Sequence, residues 1–413
     1  MIPVKEARDI ILRQIPVLGT EKVDVLSALG RVLAEDIIAP YDVPPHNNSA
    51  MDGYAVLAED VQHASPEQPV ILDVIEDLPA GYVSQHWLDP GQAIRIMTGA
   101  PVPDGANTIV RVEETERVGD NKVRILKAVP SQYDMRLAGE DIRKGETVLK
   151  QGIVIRPAEV GLLASLGRSF IQAHQRAQVA ILSTGDELVD IDESLQPGKL
   201  VNSNSYSLAA LVLETGAIPI QLGISRDTRA DLEAKFAAGV RADVIISSGG
   251  VSVGDYDLVK EILNQSGSQM QFWKVCMKPG KPQAFGTIQG TPTFGLPGNP
   301  VSSMVSYEIF VRPALLQMMG HTRIYRTVVT ATIEEEIRKT DERKYFVRVV
   351  LRQETGKYLA STTGAQGSGI LSSMSKANGL AVIDEERMIV RAGEEVPVMV
   401  LDQSFGMNEE REF

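Results

Sequence analysis

Apolar residues recur at Val4, Ala7, Ile10, Ile11 and Ile15, the spacing of one helix face, with Pro3 at the mouth of the run. The period then changes. From about Tyr41 to Lys150, short alternating runs (Gln92 to Met97, Asn107 to Val112, Lys122 to Leu126) are broken by Pro and Gly clusters such as T-G-A-P-V-P-D-G. That pattern predicts small β elements joined by hairpins and irregular connections rather than parallel strands. A further β-like stretch, Glu146 to Ile155, leads into a helix opened by Pro157 and running to about Leu166.

From about Gln178 to Gly320 strands and helices alternate. The apolar runs predict strands at Val179 to Ser183, Ile218 to Gly223, Asp243 to Ser247 and Gln271 to Cys276. Between them, helical patterns cover Ser203 to Thr215, Thr228 to Ala238 and Asp257 to Asn264. Two more short strands and a long helix, Val301 to Met319, complete the block. This rhythm predicts an open, doubly wound α/β sheet with helices on both faces, whose ligand crevice lies at the carboxyl ends of its strands. Beyond a linker near His321 to Thr327 come alternating runs at Val328 to Ile333, Tyr345 to Leu351, Leu380 to Ile383 and Val396 to Leu401. They predict a small β-barrel or sandwich. The fold class is therefore multidomain α/β plus β.

Composition narrows the functional classes. The 413 residues carry 41 basic and 54 acidic side chains, a net charge of −13, which disfavours a polyanion partner or a basic membrane surface. Neither nucleic acid nor membrane is expected as a partner. The single cysteine, Cys276, rules out a disulfide framework and Cys-rich metal sites. No apolar run approaches the roughly 18 residues of a membrane span, and the N-terminus lacks the apolar core of a signal peptide. A cytoplasmic protein is the expectation.

The strand ends carry the candidate chemistry. Ser183-Thr184-Gly185-Asp186-Glu187 follows the first α/β strand, and Ser247-Ser248-Gly249-Gly250 begins the loop after the third. Paired glycines and small hydroxyl residues suit a phosphate cradle, although the same residues also serve tight turns. Neither a P-loop nor a G-x-G-x-x-G pattern is present in this block. Lys274, Lys278 and Lys281 fall within eight residues, framed by Pro279, Gly280 and Pro282, so clustered ammonium groups are held where an oxyanion could bind. Pro297-Gly298-Asn299-Pro300 opens the last helix, and the amides of Val301, Ser302 and Ser303 are expected to point outward, free for an anion. Asp186, Glu187, Asp227 and Asp257 stand just past strand ends, where carboxylates could hold Mg²⁺; capping is the alternative for Asp227 and Asp257.

Eight strings resemble, in order, those of the MoeA family of molybdopterin molybdenumtransferases, whose eukaryotic counterpart is the gephyrin E domain. They are N-S-A-M-D-G-Y-A, R-I-M-T-G-A-P-V-P, G-E-D-I, S-T-G-D-E-L, S-S-G-G-V-S-V-G-D-Y-D, K-P-G-K-P, G-L-P-G-N-P-V-S and T-T-G-A-Q-G-S, spread from residue 48 to residue 368. The resemblance implies a discontinuous N-terminal helical and linking domain (1–40 and 139–176) and an inserted β-rich domain (41–138). It also implies a central MogA/MoaB-like α/β domain (177–325) and a C-terminal β-barrel (326–413). It implies an elongated homodimer in which the inserted domain of one subunit faces the central domain of the other.

By motif position, the family's functional roles fall on Asp52, Thr98, Asp141, Glu187, Asp227, Asp257, Lys274, Lys278, Pro297, Pro300 and Ser368. Ser248, Gly249, Gly250, Lys281, Gly298, Asn299 and Ser302 join them as the expected cradle, and Asp186, Glu187 and Asp257 as expected Mg²⁺ ligands. The implied reaction inserts molybdate into adenylylated molybdopterin and releases AMP. A molybdopterin adenylyltransferase and molybdoenzyme maturation proteins are the implied partners. Two positions depart from the family pattern: Asn47, where an acidic residue is more usual, and Ala138, where an Arg commonly precedes G-E-D. Two rival readings stay open, a binding scaffold without turnover and an adenylyltransferase or CinA-like pyrophosphatase on the same central fold.

Overall fold

The computed structural model describes residues 1–249, 271–402 and 405. It divides into two compact bodies. One comprises Met1–Lys22, Gly30–Val32 and the chain from Gln172 onward; the other comprises Val23–Leu29 and Leu33–Ile171.

The N-terminal helix forms as its spacing predicts, as α1 (Val4–Gln14), and buries Val4, Ala7 and Ile11 in the core of the first body. The second body contains a six-stranded sheet built from β1 (Gly53–Val56), β2 (Val70–Leu78), β3 (Gln92–Ile96), β4 (Thr108–Arg111), β5 (Thr115–Val118) and β6 (Lys122–Ile125), in the order β4-β1-β3-β2-β6-β5. Alternation places Tyr54, Val56 and Val110 in one apolar cluster and Ala55, Ile94 and Ile109 in another, on opposite faces of the sheet. The expectation of hairpins rather than parallel strands is corrected at one pair. β2 and β3 run parallel, Leu78 opposite Ile96, because a 13-residue connection with its own buried anchor, Leu88, returns the chain to the start of the sheet. Beside this sheet, residues 28–39 and 142–171 share a separate apolar cluster around α2 (Pro157–Ser165). Of the β-like stretch expected from Glu146 to Ile155, only Thr147–Leu149 pairs as a strand.

The α/β sheet of the first body has the order β8-β7-β9-β13-β12-β10. Its members with the helices between them are β7 (Gln178–Thr184), α3 (Ser203–Glu214), β8 (Ile218–Ser225), α4 (Arg229–Gly239), β9 (Val244–Ser248), β10 (Gln271–Lys274), β11 (Met277–Lys278, which leaves this sheet), β12 (Pro282–Ile288) and β13 (Thr291–Leu296). Val179 and Ile181 of β7 share a cluster with Leu208, Leu211 and Val212 of α3, whereas Ala180 and Leu182 pack with Leu232 and Phe236 of α4. Both faces of β7 are therefore covered, which is why its sequence reads as a continuous apolar run. β8, β7, β9 and β13 are parallel, while β12 runs antiparallel to β13 and β10 antiparallel to β12. The helix expected over Asp257 to Asn264 lies outside the described residues.

The long helix expected from Val301 to Met319 is interrupted. It divides into α5 (Pro300–Ser306), a π-helical turn at Tyr307–Val311, and α6 (Arg312–Met318). The Tyr307 hydroxyl donates to the Leu211 carbonyl (3.0 Å) and meets Thr215 Oγ1 at 2.8 Å, while Glu308 pairs with Arg326 at 2.9 Å. Both side chains are buried, so the widened turn places two polar groups on partners within the core.

The C-terminal region closes into a barrel of β14 (Val328–Ile333), β15 (Lys344–Glu354), β16 (Lys357–Thr362), β17 (Gly379–Ile383) and β18 (Glu395–Val400), with α7 (Leu371–Lys376) between β16 and β17. β16 and α7 escape the apolar pattern because their residues are mostly polar or half-buried. β11 crosses from the α/β sheet to pair with β15, setting Lys278 opposite Tyr345.

Candidate functional site

The register of the parallel strands aligns Ser225, Thr184, Ser248 and Leu296 along one carboxyl edge. The pairing of Lys274 with Pro282 brings the end of β10 to the same edge. A cleft of about 530 Å³ opens there, lined by Thr184, Glu187, Ser248, Gly249, Pro297 and Asn299 among others. Gly249 is required at its position. Its φ is +93°, and a Cβ would lie 2.8 Å from the Thr184 carbonyl oxygen, so only glycine lets the two loops approach this closely. Asn204, almost fully buried, fastens the same walls: its Nδ2 donates to Ser248 Oγ (2.7 Å) and to the Gly298 carbonyl (2.8 Å). Of the two residues at the mouth of α3 that could cap it, Asn202 and Ser203, it is Asn202 that does so, accepting from the Ser205 amide.

A second cleft, of about 650 Å³, shares Pro282 and Asn299 with the first. Its walls are the 278–282 loop, Ser302 and the barrel residues Arg338, Thr340, Arg343, Tyr345, Arg348 and Ser368. Lys278 Nζ donates to Thr340 Oγ1 (3.1 Å) and Tyr345 Oη (3.2 Å). Burial raises the Tyr345 phenol, but the hydrogen bonds around its oxygen, among them those donated by the Thr340 amide and Lys278, outweigh it and hold the group below its ordinary value. Asp341 is held far below the usual carboxylate range by its bonds from Arg343, so this cation is already neutralised.

Arg348, which lines this cleft, is a candidate site residue that the sequence motifs do not mark. Its side chain is 1 % exposed, donates to Ser373 Oγ and the Gly367 carbonyl (3.0 Å each), and meets no carboxylate among the described residues. Burial without compensation pushes it down to about 10. The signal was present: an arginine within the apolar run Y-F-V-R-V-V-L. The T-T-G-A-Q-G-S string is tied to it, since Gln366 Oε1 accepts from the Arg348 amide and Gln366 Nε2 donates back to the Arg348 carbonyl.

Several expected site residues differ in placement. Val301 N–H donates to the Ser368 carbonyl (3.1 Å) and Ser303 N–H to the Asn299 carbonyl (2.9 Å). The expectation of three free amides at this helix start is therefore corrected: the Val301 amide ties the helix start to the Ser368 loop, and the Ser303 amide makes the first intrahelical bond to the N-cap carbonyl. Lys274, Asp186 and Asp227 lie on the same sheet edge but outside the lining of both clefts, and Lys281 lines the second cleft with an exposed side chain. Asp186 and Asp227 brace each other, each carboxylate accepting from the other's amide at 3.2 and 3.4 Å. Among the described residues no three acidic, His or Cys side chains gather as a cation-holding group. Gly250 and Asp257 lie outside the described residues.

In the second body, the Thr98 amide and hydroxyl both donate to Asp52 Oδ1, at 2.7 and 2.8 Å. These two bonds hold the exposed carboxyl of Asp52 below its usual value. Asp141 is exposed, with its amide bonded to the Val43 carbonyl. The two departures meet each other, since Asn47 Oδ1 accepts from the Ala138 amide at 2.8 Å, a bond indifferent to the side chain at 138.

Three family descriptions match in succession: MoeA N-terminal region (domain I and II) over residues 2–167, probable molybdopterin binding domain over 180–317, and MoeA C-terminal region (domain IV) over 330–401. The chain is 39% identical over 406 residues to molybdopterin molybdenumtransferase 2 of Mycobacterium tuberculosis, covering 96% of this chain and 99% of that one. It is 38% identical over 411 residues to the molybdopterin molybdenumtransferase of a Nostoc species, covering 97% and 94%. The crystal structure of a molybdopterin biosynthesis MoeA protein from Pyrococcus horikoshii superposes with a TM-score of 0.85 at 32% identity, over 97% of this chain and 99% of that one. Sequence, domain order and fold agree over the whole length, and the chain belongs to the MoeA family of molybdopterin molybdenumtransferases.

Proposed function

We propose that this protein is a molybdopterin molybdenumtransferase, inserting molybdate into adenylylated molybdopterin with release of AMP. The observation that carries the reading is the adjacency of two unlike clefts. One has no Lys or Arg in its lining, which is of uncharged polar, small and aliphatic residues with the single acid Glu187, and the other contains Lys278, Lys281 and a buried Arg348 that meets no carboxylate among the described residues. A buried cation lacking a counter-charge is costly unless an anion completes it. Molybdate is a dianion, and charge-assisted donors suit it. The first cleft has the volume of a small-molecule site, and the Ser248–Gly249 edge with Pro297 to Pro300 forms a wall for the pterin phosphate. The two clefts share a wall at Pro282 and Asn299, which supports a reaction of two substrates bound side by side, chiefly one of positioning.

Asp186 and Asp227 offer two adjacent carboxylates, a donor set that fits Mg²⁺, which takes one or two carboxylates and keeps its waters. A bound Mg²⁺ would neutralise charge on the phosphoanhydride. Glu187, folded back over Gly185, joins the acidic rim in this proposal, and Asp257 is assigned to it by motif position alone. Lys274 stands at its edge as a further cation for the leaving AMP. We place the protein in the cytoplasm and read it as a homodimer of four-domain subunits, with the pre-formed Asp52–Thr98 pair, together with Asp141, contributed to the clefts of the neighbouring subunit.

Reconstitution with adenylylated molybdopterin, Mg²⁺ and molybdate tests the reading, with AMP and metallated pterin followed together. Both products should appear in equal amounts and fall steeply in Lys278→Ala and Asp257→Ala. Undiminished insertion in both variants, or ATP-dependent adenylylation by this chain alone, would sink the proposal.

A further inference from the structure

Counting acceptor sites around Lys278 assigns the protons of the group. Tyr345 Oη receives the Thr340 amide (3.0 Å) and Lys278 Nζ (3.2 Å), so both of its acceptor sites are filled. Its own O–H is then directed at the remaining contact, Thr340 Oγ1, at 2.9 Å. Thr340 Oγ1 also receives Lys278 Nζ at 3.1 Å, so its two acceptor sites are filled as well. Only the Thr340 hydroxyl proton is left over. Lys278 has likewise spent two of its three N–H bonds within this group. Thr340 and Lys278 both line the second cleft, and Thr340 is exposed there.

Resting on the reading of the second cleft as the oxyanion site, we infer that Thr340 is a direct ligand-binding residue: its hydroxyl and the last N–H of Lys278 donate together to one tetrahedral oxyanion. The two donor atoms lie 3.1 Å apart, close enough to reach neighbouring oxygens of a single anion. Tyr345 is the positioning residue of the pair. It is fixed by the Thr340 backbone, and β11–β15 pairing sets it opposite Lys278. Its phenol orients both donors without needing to touch the anion. Nothing in the motif strings marks Thr340. It lies in the connection before β15, and only the crossing of β11 to the barrel brings the lysine to it.

Calorimetric titration of the full-length protein with molybdate tests the inference. Thr340→Val, which keeps shape but removes the hydroxyl, should weaken binding about tenfold, as for loss of a hydrogen bond to a charged acceptor. Thr340→Ser should bind like the unaltered protein, and Lys278→Ala should bind more weakly than either. Unchanged affinity in Thr340→Val alongside lost affinity in Lys278→Ala overturns the inference but leaves the cleft as the oxyanion site. Equal weakening in Thr340→Val and Thr340→Ser also overturns it, because the side chain would then act through packing. Unchanged affinity in all three variants overturns the cleft assignment and the inference with it.

Discussion

Replacing Arg348 by methionine separates the two roles a buried cation can have. In the ligand-free protein the guanidinium is 1 % exposed and faces no carboxylate among the described residues, and burial pushes it down to about 10. Measured against an ordinary arginine, that corresponds to a penalty of about 3 kcal/mol on the charged native state. The sign follows from proton linkage. The unfolded chain holds the proton more tightly than the folded one, so the penalty is complete at neutral pH and is relieved only as the pH rises past the folded value. Methionine removes the penalty, but it also removes the bonds to Ser373 and Gly367, about 1–2 kcal/mol each. The terms nearly cancel, and the ligand-free variant should unfold within about 1–2 kcal/mol of the unaltered protein. The anion response should differ sharply. Molybdate at 100 times its dissociation constant stabilises the unaltered protein by about 2.7 kcal/mol. A thirtyfold loss of affinity would reduce that to about 0.9 kcal/mol at the same concentration. Thermal denaturation with and without molybdate reads both quantities. A variant that loses several kcal/mol by itself yet keeps the full molybdate shift would refute the reasoning, because Arg348 would then be a structural tie and not an anion receptor.

Two further outcomes follow from the same geometry. Gly249→Ala forces a side chain to φ +93° and against the Thr184 carbonyl, so it should destabilise the α/β body by about 1–3 kcal/mol, measured by denaturant unfolding, and impair pterin binding more than molybdate binding. Thr98→Val should raise Asp52 only part of the way to its ordinary value, because the Thr98 amide bond, the larger influence, survives; carbon NMR titration of the carboxyl would show it. In the unaltered protein the bonds to Asp52 favour the native state above the ordinary carboxyl value and are lost as the pH falls through the lowered one, so the variant should lose this contribution at higher pH.

The sequence displayed what local pattern and turn chemistry encode. Val4, Ala7 and Ile11 announced a helix face, and Val179 to Leu182 announced a strand covered on both sides, because burial alone dictates those residues. The glycine of the Ser248–Gly249 edge was legible for a similar reason, since only one residue type satisfies the backbone there. The parallel pairing of β2 with β3 was not legible: short alternating runs look alike in either direction, and the long return through Leu88 has no apolar period of its own. The π turn was hidden as well, because Tyr307 and Glu308 fit a helical pattern and declare themselves only when Thr215 and Arg326 arrive from distant segments.

The site divides along the same line. Residues held by backbone demands, Gly249, Pro297 and Pro300, could be read from short strings, and so could a lysine loop framed by prolines. Arg348, Tyr345 and Thr340 could not, because each acquires meaning from a neighbour far away in the chain: Ser373 and Gly367 for Arg348, and Lys278 for the other two. The helix start at Pro300 shows the opposite error. Its amides look free in the sequence, but a carbonyl from the loop before α7 occupies Val301, and in the proposed reading the anion-binding role passes from backbone to side chains of the barrel. The net charge of −13 concealed that transfer entirely. In that proposal an acidic protein holds an oxyanion because Arg343 is taken up by Asp341 while the buried Arg348 meets no carboxylate among the described residues, and this selection among cations is made by tertiary contacts alone.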